Sequence, residues 1–170
     1  MSILALLYAL YVVFFFTAGD YVKFGFPMAG AMTILSWGGI SNAPGYQKAG
    51  MLGYLRDAVK WGTDYLIKAH VAPDVFYGQV GEGDFDHSFW GRPEDMPDYR
   101  PGFKIDPQNP GSDLAAESAA ALASASILFK DEDSAYSDEL LQHAIELFEL
   151  ADNYRGKYSD SISDASKFYK

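Results

Sequence analysis

Apolar positions along the chain fall into blocks of different period, separated by clusters of proline, glycine and aspartate. The first block, Ile3 to Phe16, carries no polar group except tyrosine hydroxyls. It is shorter than the roughly 20 residues that a membrane span needs. Its length suits a signal-peptide apolar region, and Thr17, Ala18 and Gly19 supply small residues for cleavage, although no Lys or Arg precedes it. Met28 to Ile40, opened by Pro27, predicts a short apolar helix whose first turn tolerates proline. Ser41 to Gly45 breaks it. From Tyr46 to His70 proline is absent, and Leu55, Val59, Leu66 and Ala69 form one stripe with Tyr54, Ala58, Trp61 and Tyr65 beside it. That spacing predicts a second helix with a broad buried face, stopped by Pro73.

Between Asp74 and Pro110 the period is lost among Gly, Pro and Asp, which predicts a long loop of the kind that carries function. Regular patterning returns at Ser112, a suitable N-cap, with Asp113 placed to favour the helix dipole. Seven alanines between Asp113 and Phe129 accompany Leu114, Leu122, Ile127 and Leu128, the pattern of an inner helix approached closely by its neighbours. Lys130 to Asp133 reads as a solvated turn. Ser137 is expected to cap a second helix, Asp138 to about Tyr154, with Leu140, Leu141, Ala144, Ile145, Phe148 and Ala151 on one face and Glu146, Glu149 and Asp152 on the other. No β-rich run of useful length competes. The expected class is all-α, built from antiparallel helical hairpins. Each hairpin leaves one apolar face uncovered, and two cannot close a ring, so the chain reads as part of something larger.

Composition narrows the function. The 170 residues are one domain's worth of chain, 49% apolar and 16% aromatic, which excludes a disordered chain. A formal charge of −10 repels phosphate backbones and anionic headgroups, so no nucleic acid and no membrane partner is expected. The absence of cysteine removes thiolate metal sites, disulfides and a thiol nucleophile. Twelve Tyr, twelve Phe and three Trp in an acidic chain suit carbohydrate, where flat apolar faces sit beside hydrogen-bonding carboxylates, and they would equally fill a large core.

Chemistry-bearing residues concentrate at two places. Asp20 lies between Gly19 and the aromatic residues that follow, just before the first helix, where a turn or N-cap aspartate would also sit. The second place runs from Tyr77 to Met96. Asp84, Asp86 and His87 there resemble metal ligands superficially, but the EF-hand glycine and terminal glutamate are missing. A bond from Asp86 that orients His87 is the better expectation, and no metal or cofactor is expected. Trp90 suits a core anchor as well as a binding surface. The glycines at 78, 81 and 83 lack phosphate-loop spacing.

Asp20 to Met28, Tyr65 to His70, Tyr77 to Gly81, Asp86 to Met96, Pro110 to Glu117 and Asn153 to Asp160 together resemble the N-terminal part of glycoside hydrolase family nine, the endo-β-1,4-glucanases (cellulases). The resemblance runs from about Ala18 to about Ile162. It implies a six-hairpin α/α barrel, present here as an incomplete toroid, and hydrolysis of β-1,4-glucan with inversion. Ala18, Gly19 and Asp20 match the last three positions of the family's Asp-Ala-Gly-Asp motif, which makes Asp20 the general base. The motif's first aspartate falls on Thr17. His87 and Trp90 match cleft positions that contact glucose units.

The family's general-acid glutamate lies far beyond this length, and nothing in Ser163 to Lys170 stands in for it. The expected division is therefore residues 1–17 as an apolar leader and 18–170 as the N-terminal part of a catalytic domain. The leader is either a secretory signal or translated intron running into the matching region. By itself the chain is expected to be inactive and poorly soluble, and the enzyme secreted. The alternative is a non-catalytic β-glucan-binding or interaction remnant that keeps the His87 and Trp90 platform.

Overall fold

The structure, a computed structural model, describes residues 20–169. The leader and Thr17 lie outside the described residues. Two helical hairpins and a small antiparallel sheet at one end make up the architecture.

The chain enters through strand β1 (Lys23–Phe24) and turns directly into helix α1 (Gly25–Ser41). α1 begins three residues before Met28. Pro27 is its third residue, where a backbone N–H has no intrahelical acceptor and its loss costs nothing. The stretch read as one helix from Tyr46 is two, α2 (Ala43–Lys48) and α3 (Leu52–Ala69). Gly50 separates them at φ +69°, a left-handed conformation that side chains resist. α3 buries Leu55, Val59, Tyr65, Leu66 and Ala69 as its spacing predicts, while Tyr54 and Trp61 are exposed.

The region expected to be a featureless loop holds ordered structure, which is the largest departure from the sequence pattern. α3 runs into β2 (His70–Ala72) and then β3 (Val75–Val80). Next come a short helix α4 (Gly83–Ser88), a 3₁₀ turn at Pro93–Asp95 and β4 (Gly102–Ile105). β3 is the hub of the sheet and pairs antiparallel with β1, β2 and β4. Its side chains do not alternate cleanly, because Gly78, Gln79 and Val80 are all buried against helices. A strand covered on both faces loses the period-2 signal. Gly25 shows how close the layers are. A Cβ there would lie 2.8 Å from the Gly78 carbonyl oxygen, so α1 starts directly on the backbone of β3.

Helix α5 (Ser112–Phe129) packs between α1 and α6 (Ser134–Asn153) and is buried on most sides, as its alanine content predicts. Fully burying leucines such as Leu114 and Leu122 contributes about 1.5–3 kcal/mol each. The two expected caps are corrected. Ser112 is the first helical residue, and its hydroxyl accepts the Gly156 N–H at 3.0 Å. Ser137 lies inside α6, which starts four residues earlier than predicted, where Asp133 accepts the Tyr136 N–H at 3.0 Å. The buried Ser137 hydroxyl donates to the Ser126 carbonyl instead, joining the two helices.

Leu140, Ala144, Leu147 and Leu150 of α6 face the core, but Leu141, Ile145 and Phe148 do not. With the α5 alanines they line an open apolar groove of about 560 Å³, one of the uncovered faces that the hairpin pattern predicts. A last short helix, α7 (Tyr158–Ser161), precedes a 3₁₀ turn at Ala165–Lys167 that packs back against α4. Among the described residues no helix is long and apolar enough to cross a membrane.

Candidate active site

The sheet lies where the hairpin ends meet, because β1 leads into α1, β2 leaves α3 and β4 leads to α5. Both chemistry-bearing segments converge there. A cavity of about 260 Å³ is lined by Asp20, Tyr21, Asp86, His87, Phe89, Trp90 and Gly91. All three residues singled out as site candidates, Asp20, His87 and Trp90, are in this one lining, although 67 to 70 positions separate Asp20 from the other two.

Asp20 precedes β1 and does not cap α1, whose N-cap position is Phe24. Its carboxylate Oδ2 lies 3.2 Å from His87 Nε2, both side chains about a third exposed. His87 sits in the last turn of α4 with its ring edge-on to Phe168, 5.0 Å between centroids. Trp90 is fully exposed at the rim, at 102% relative accessibility, so the core-anchor reading is excluded. An indole held out in solvent beside a half-buried carboxylate and an imidazole offers an apolar face next to hydrogen-bonding groups.

The expected partnership of Asp86 with His87 is corrected. Asp86 is buried at 3% exposure, and its Oδ1 accepts the Tyr21 backbone N–H at 3.2 Å. His87 pairs with Asp20 instead. Asp86 and His87 are adjacent on α4 and within 4.8 Å of one another, but the bonds they make go to Tyr21 and to Asp20. Burial, with the nearby charge of Asp20, holds the Asp86 pKa above the usual carboxylate range, opposed by the Tyr21 N–H and the positive charge of Arg100.

Tyr21 is held at two further points. Its carbonyl accepts from the Arg100 guanidinium, and its hydroxyl donates to the Gly91 carbonyl at 2.5 Å. Neither Tyr21 nor Arg100 is marked as a site residue by the sequence pattern. Adjacency to Asp20 was the available signal for the first, whereas Arg100 reaches the site from the segment before β4 with no local motif. Asp84 faces away and pairs with Lys167. α4 is fixed from below by Asp164, whose Oδ2 accepts the Gly83 N–H at 2.8 Å and the Gln79 side-chain N–H at 2.5 Å.

Two clusters bring three potential ligand atoms within 4.8 Å of one another: Asp20 with Asp86 and His87, and His70 with His143 and Glu146. In the first, Asp20 Oδ2 pairs with His87 Nε2 and Asp86 Oδ1 accepts the Tyr21 N–H. In the second, the His70 and His143 Nδ1 atoms are 2.7 Å apart, a direct hydrogen bond. Two nitrogens on a tetrahedral zinc would stand about 3.3 Å apart, given bonds of about 2.0–2.1 Å. His70 Nε2 is 3.3 Å from the Pro73 carbonyl and so carries the proton it donates there, leaving Nδ1 to accept from His143. Burial pushes the His70 pKa down.

Comparison with known proteins fits this geometry. The family model described as Glycosyl hydrolase family 9 matches residues 15–170. The curated relatives include Endoglucanase 1 of Oryza sativa subsp. japonica, 52% identical over 91% of this chain and 24% of its own length. Endoglucanase 19 of Arabidopsis thaliana is 55% identical over 92% of this chain and 25% of its own length. This chain thus spans about a quarter of these relatives. Among solved structures, an endoglucanase from the termite Nasutitermes takasagoensis superposes with TM-score 0.87 at 63% identity, covering 89% of this chain and 35% of that one. The cellulase Cel9M of C. cellulolyticum, solved in complex with cellobiose, superposes with TM-score 0.80 at 32% identity, covering 88% of this chain and 42% of that one. The two hairpins form part of a six-hairpin α/α barrel.

Proposed function

The chain belongs to glycosyl hydrolase family 9, and from that premise we propose that it is the base-bearing part of an inverting endo-β-1,4-glucanase. Asp20 is the general base that activates water, and His87 and Trp90 bind glucose units of a β-1,4-glucan. The observation that carries this reading is the pairing of Asp20 with His87 at 3.2 Å in a cavity rimmed by a fully exposed tryptophan. Cellobiose and cellotriose complexes of related cellulases support the substrate class.

Inversion needs a second carboxyl group about 6.5–9.5 Å away, leaving room for water between the two. Asp86 does not meet that requirement, since its carboxylate comes within 4.8 Å of Asp20 and is buried. Asp86 is therefore not the proton donor to the leaving oxygen, a role that the family resemblance gives to a glutamate farther along the enzyme. For these 170 residues alone we infer no hydrolysis, because a missing general acid commonly costs about 10²–10⁴-fold. Secretion follows from the same reading, since a polymeric glucan is met outside the cell.

The test is hydrolysis of cello-oligosaccharides by the full-length enzyme and its Asp20→Asn variant, with the first anomer formed read by NMR. The expected result is an initial α-anomer, and loss of at least 10²-fold in kcat in the variant. A β-anomer, or an unimpaired variant, overturns the proposal. The exposed Trp90 also fits a second reading, a glucan-binding remnant that needs no acid. Binding of cellotetraose by the 170-residue chain, with loss of that binding in Trp90→Ala, would support it.

A further inference from the structure

Asp86 is too close to Asp20 to be the second carboxyl of an inverting pair, yet it is the most buried group in the cavity lining that carries an ionisable side chain. Burying a carboxyl is costly unless it is hydrogen-bonded. One of its oxygens, Oδ2, is buried with no hydrogen-bond partner among the described residues, which costs stability. What its other oxygen does is specific: Oδ1 holds the N–H of Tyr21, the residue that follows Asp20. With the Tyr21 carbonyl held by Arg100 and its hydroxyl by Gly91, the backbone carrying the base is fixed at three points. His87, the next residue of the same short helix, meets the Asp20 carboxylate directly.

We propose that Asp86 is the positioning residue of the catalytic base, acting through the Tyr21 amide as a hydrogen-bond acceptor and not as a negative charge. The inference rests on the assignment of Asp20 as base. Proximity decides the question of charge. An ionised Asp86 beside an ionised Asp20 would raise the energy of the form of Asp20 that accepts a proton. The charged groups around Asp86 are Asp20, His87 and Arg100; burial and Asp20 raise its pKa, while the Tyr21 N–H, Arg100 and His87 oppose that shift. A neutral carboxyl keeps the acceptor for Tyr21 and leaves the base its charge. A displaced base loses rate steeply, because reacting atoms must be held about 3–3.5 Å apart.

Two substitutions in the full-length enzyme separate acceptor from charge. Asp86→Asn keeps the acceptor at its place and removes any charge. Asp86→Glu keeps the carboxyl and moves the acceptor by one methylene. With cellotetraose as substrate, Asp86→Asn is expected to hold kcat within about threefold and to leave the acid limb of the pH–rate profile where it is. Asp86→Glu is expected to lose about 10- to 100-fold in kcat with KM within about twofold. The reverse order, or an acid limb displaced in Asp86→Asn, shows that Asp86 acts as a charge and overturns the proposal. So does wild-type behaviour of both variants. Asp20→Asn measured in parallel keeps the two readings apart. If that variant stays active, Asp20 is not the base, whatever the Asp86 variants do.

Discussion

Replacing Asp164 tests how the site is held from beneath. The residue is 7% exposed, and a single oxygen, Oδ2, accepts both the Gly83 N–H that opens α4 and the side-chain N–H of Gln79. Hydrogen bonds to a charged acceptor are worth about 1.5–3 kcal/mol each. Asp164→Ala breaks both, but Gln79 retains its bond to the Gly81 carbonyl at 2.9 Å and Lys167 keeps Asp84. The net loss should be about 3–4 kcal/mol, most of it from a buried Gly83 amide left without an acceptor. Asp164→Asn can place its carbonyl oxygen where Oδ2 stands and keep both bonds as neutral ones, a loss of about 1–2 kcal/mol. The assay is urea unfolding of the full-length enzyme at pH 7, with kcat/KM on a soluble β-glucan alongside. α4 carries His87 and Asp86, so activity should fall with stability in the order wild type, Asn, Ala. An alanine variant within 0.5 kcal/mol of wild type, or an asparagine variant as impaired as alanine, refutes the reasoning.

Trp90→Ala should weaken cello-oligosaccharide binding about tenfold, roughly 1.4 kcal/mol, without moving the unfolding midpoint, since the side chain touches little else; titration calorimetry and calorimetric melting read the two. Gly25→Ala should cost about 1–3 kcal/mol, because the added methyl meets a backbone carbonyl that cannot move aside, and denaturant unfolding of the full-length protein checks it. Burial depresses the His70 pKa below its ordinary 6.5. The unfolded chain therefore binds the proton more readily, and this contribution to stability is complete above about pH 6.5 and declines as pH falls toward the folded value. Unfolding free energies between pH 5 and 8 should show that slope, and His70→Gln should flatten it.

The helical part of the fold was legible because its burial is one-sided or its composition extreme. The stripe of Leu55, Val59 and Leu66 and the alanines of α5 both gave the right element and the right burial. The caps were misread because Ser112 and Ser137 spend their hydroxyls on tertiary partners, which no local pattern shows. The sheet was invisible for a related reason. β3 pairs with strands that begin at 23, 70 and 102, and its buried Gly78 and Gln79 erase the alternation. At the candidate site, the residues that share the cavity lining are legible in the sequence, while their pairing is not. Asp86 and His87 are neighbours in sequence, and only the folded chain shows that each serves the segment around Asp20 instead of the other.

The short helix α4 grips that segment twice, the backbone through Asp86 and the carboxylate through His87. Two anchors on one small rigid body change the mechanics of the cleft wall. When α4 shifts under thermal motion, it carries both anchors and Asp20 with it, so this part of the site travels as a unit. Fluctuations in the separation of Asp20 and His87 should then be smaller than the excursions of either group in space. For the proposed glucanase this arrangement is an advantage, because the wall can yield to a stiff chain while the Asp20–His87 geometry rides along unaltered.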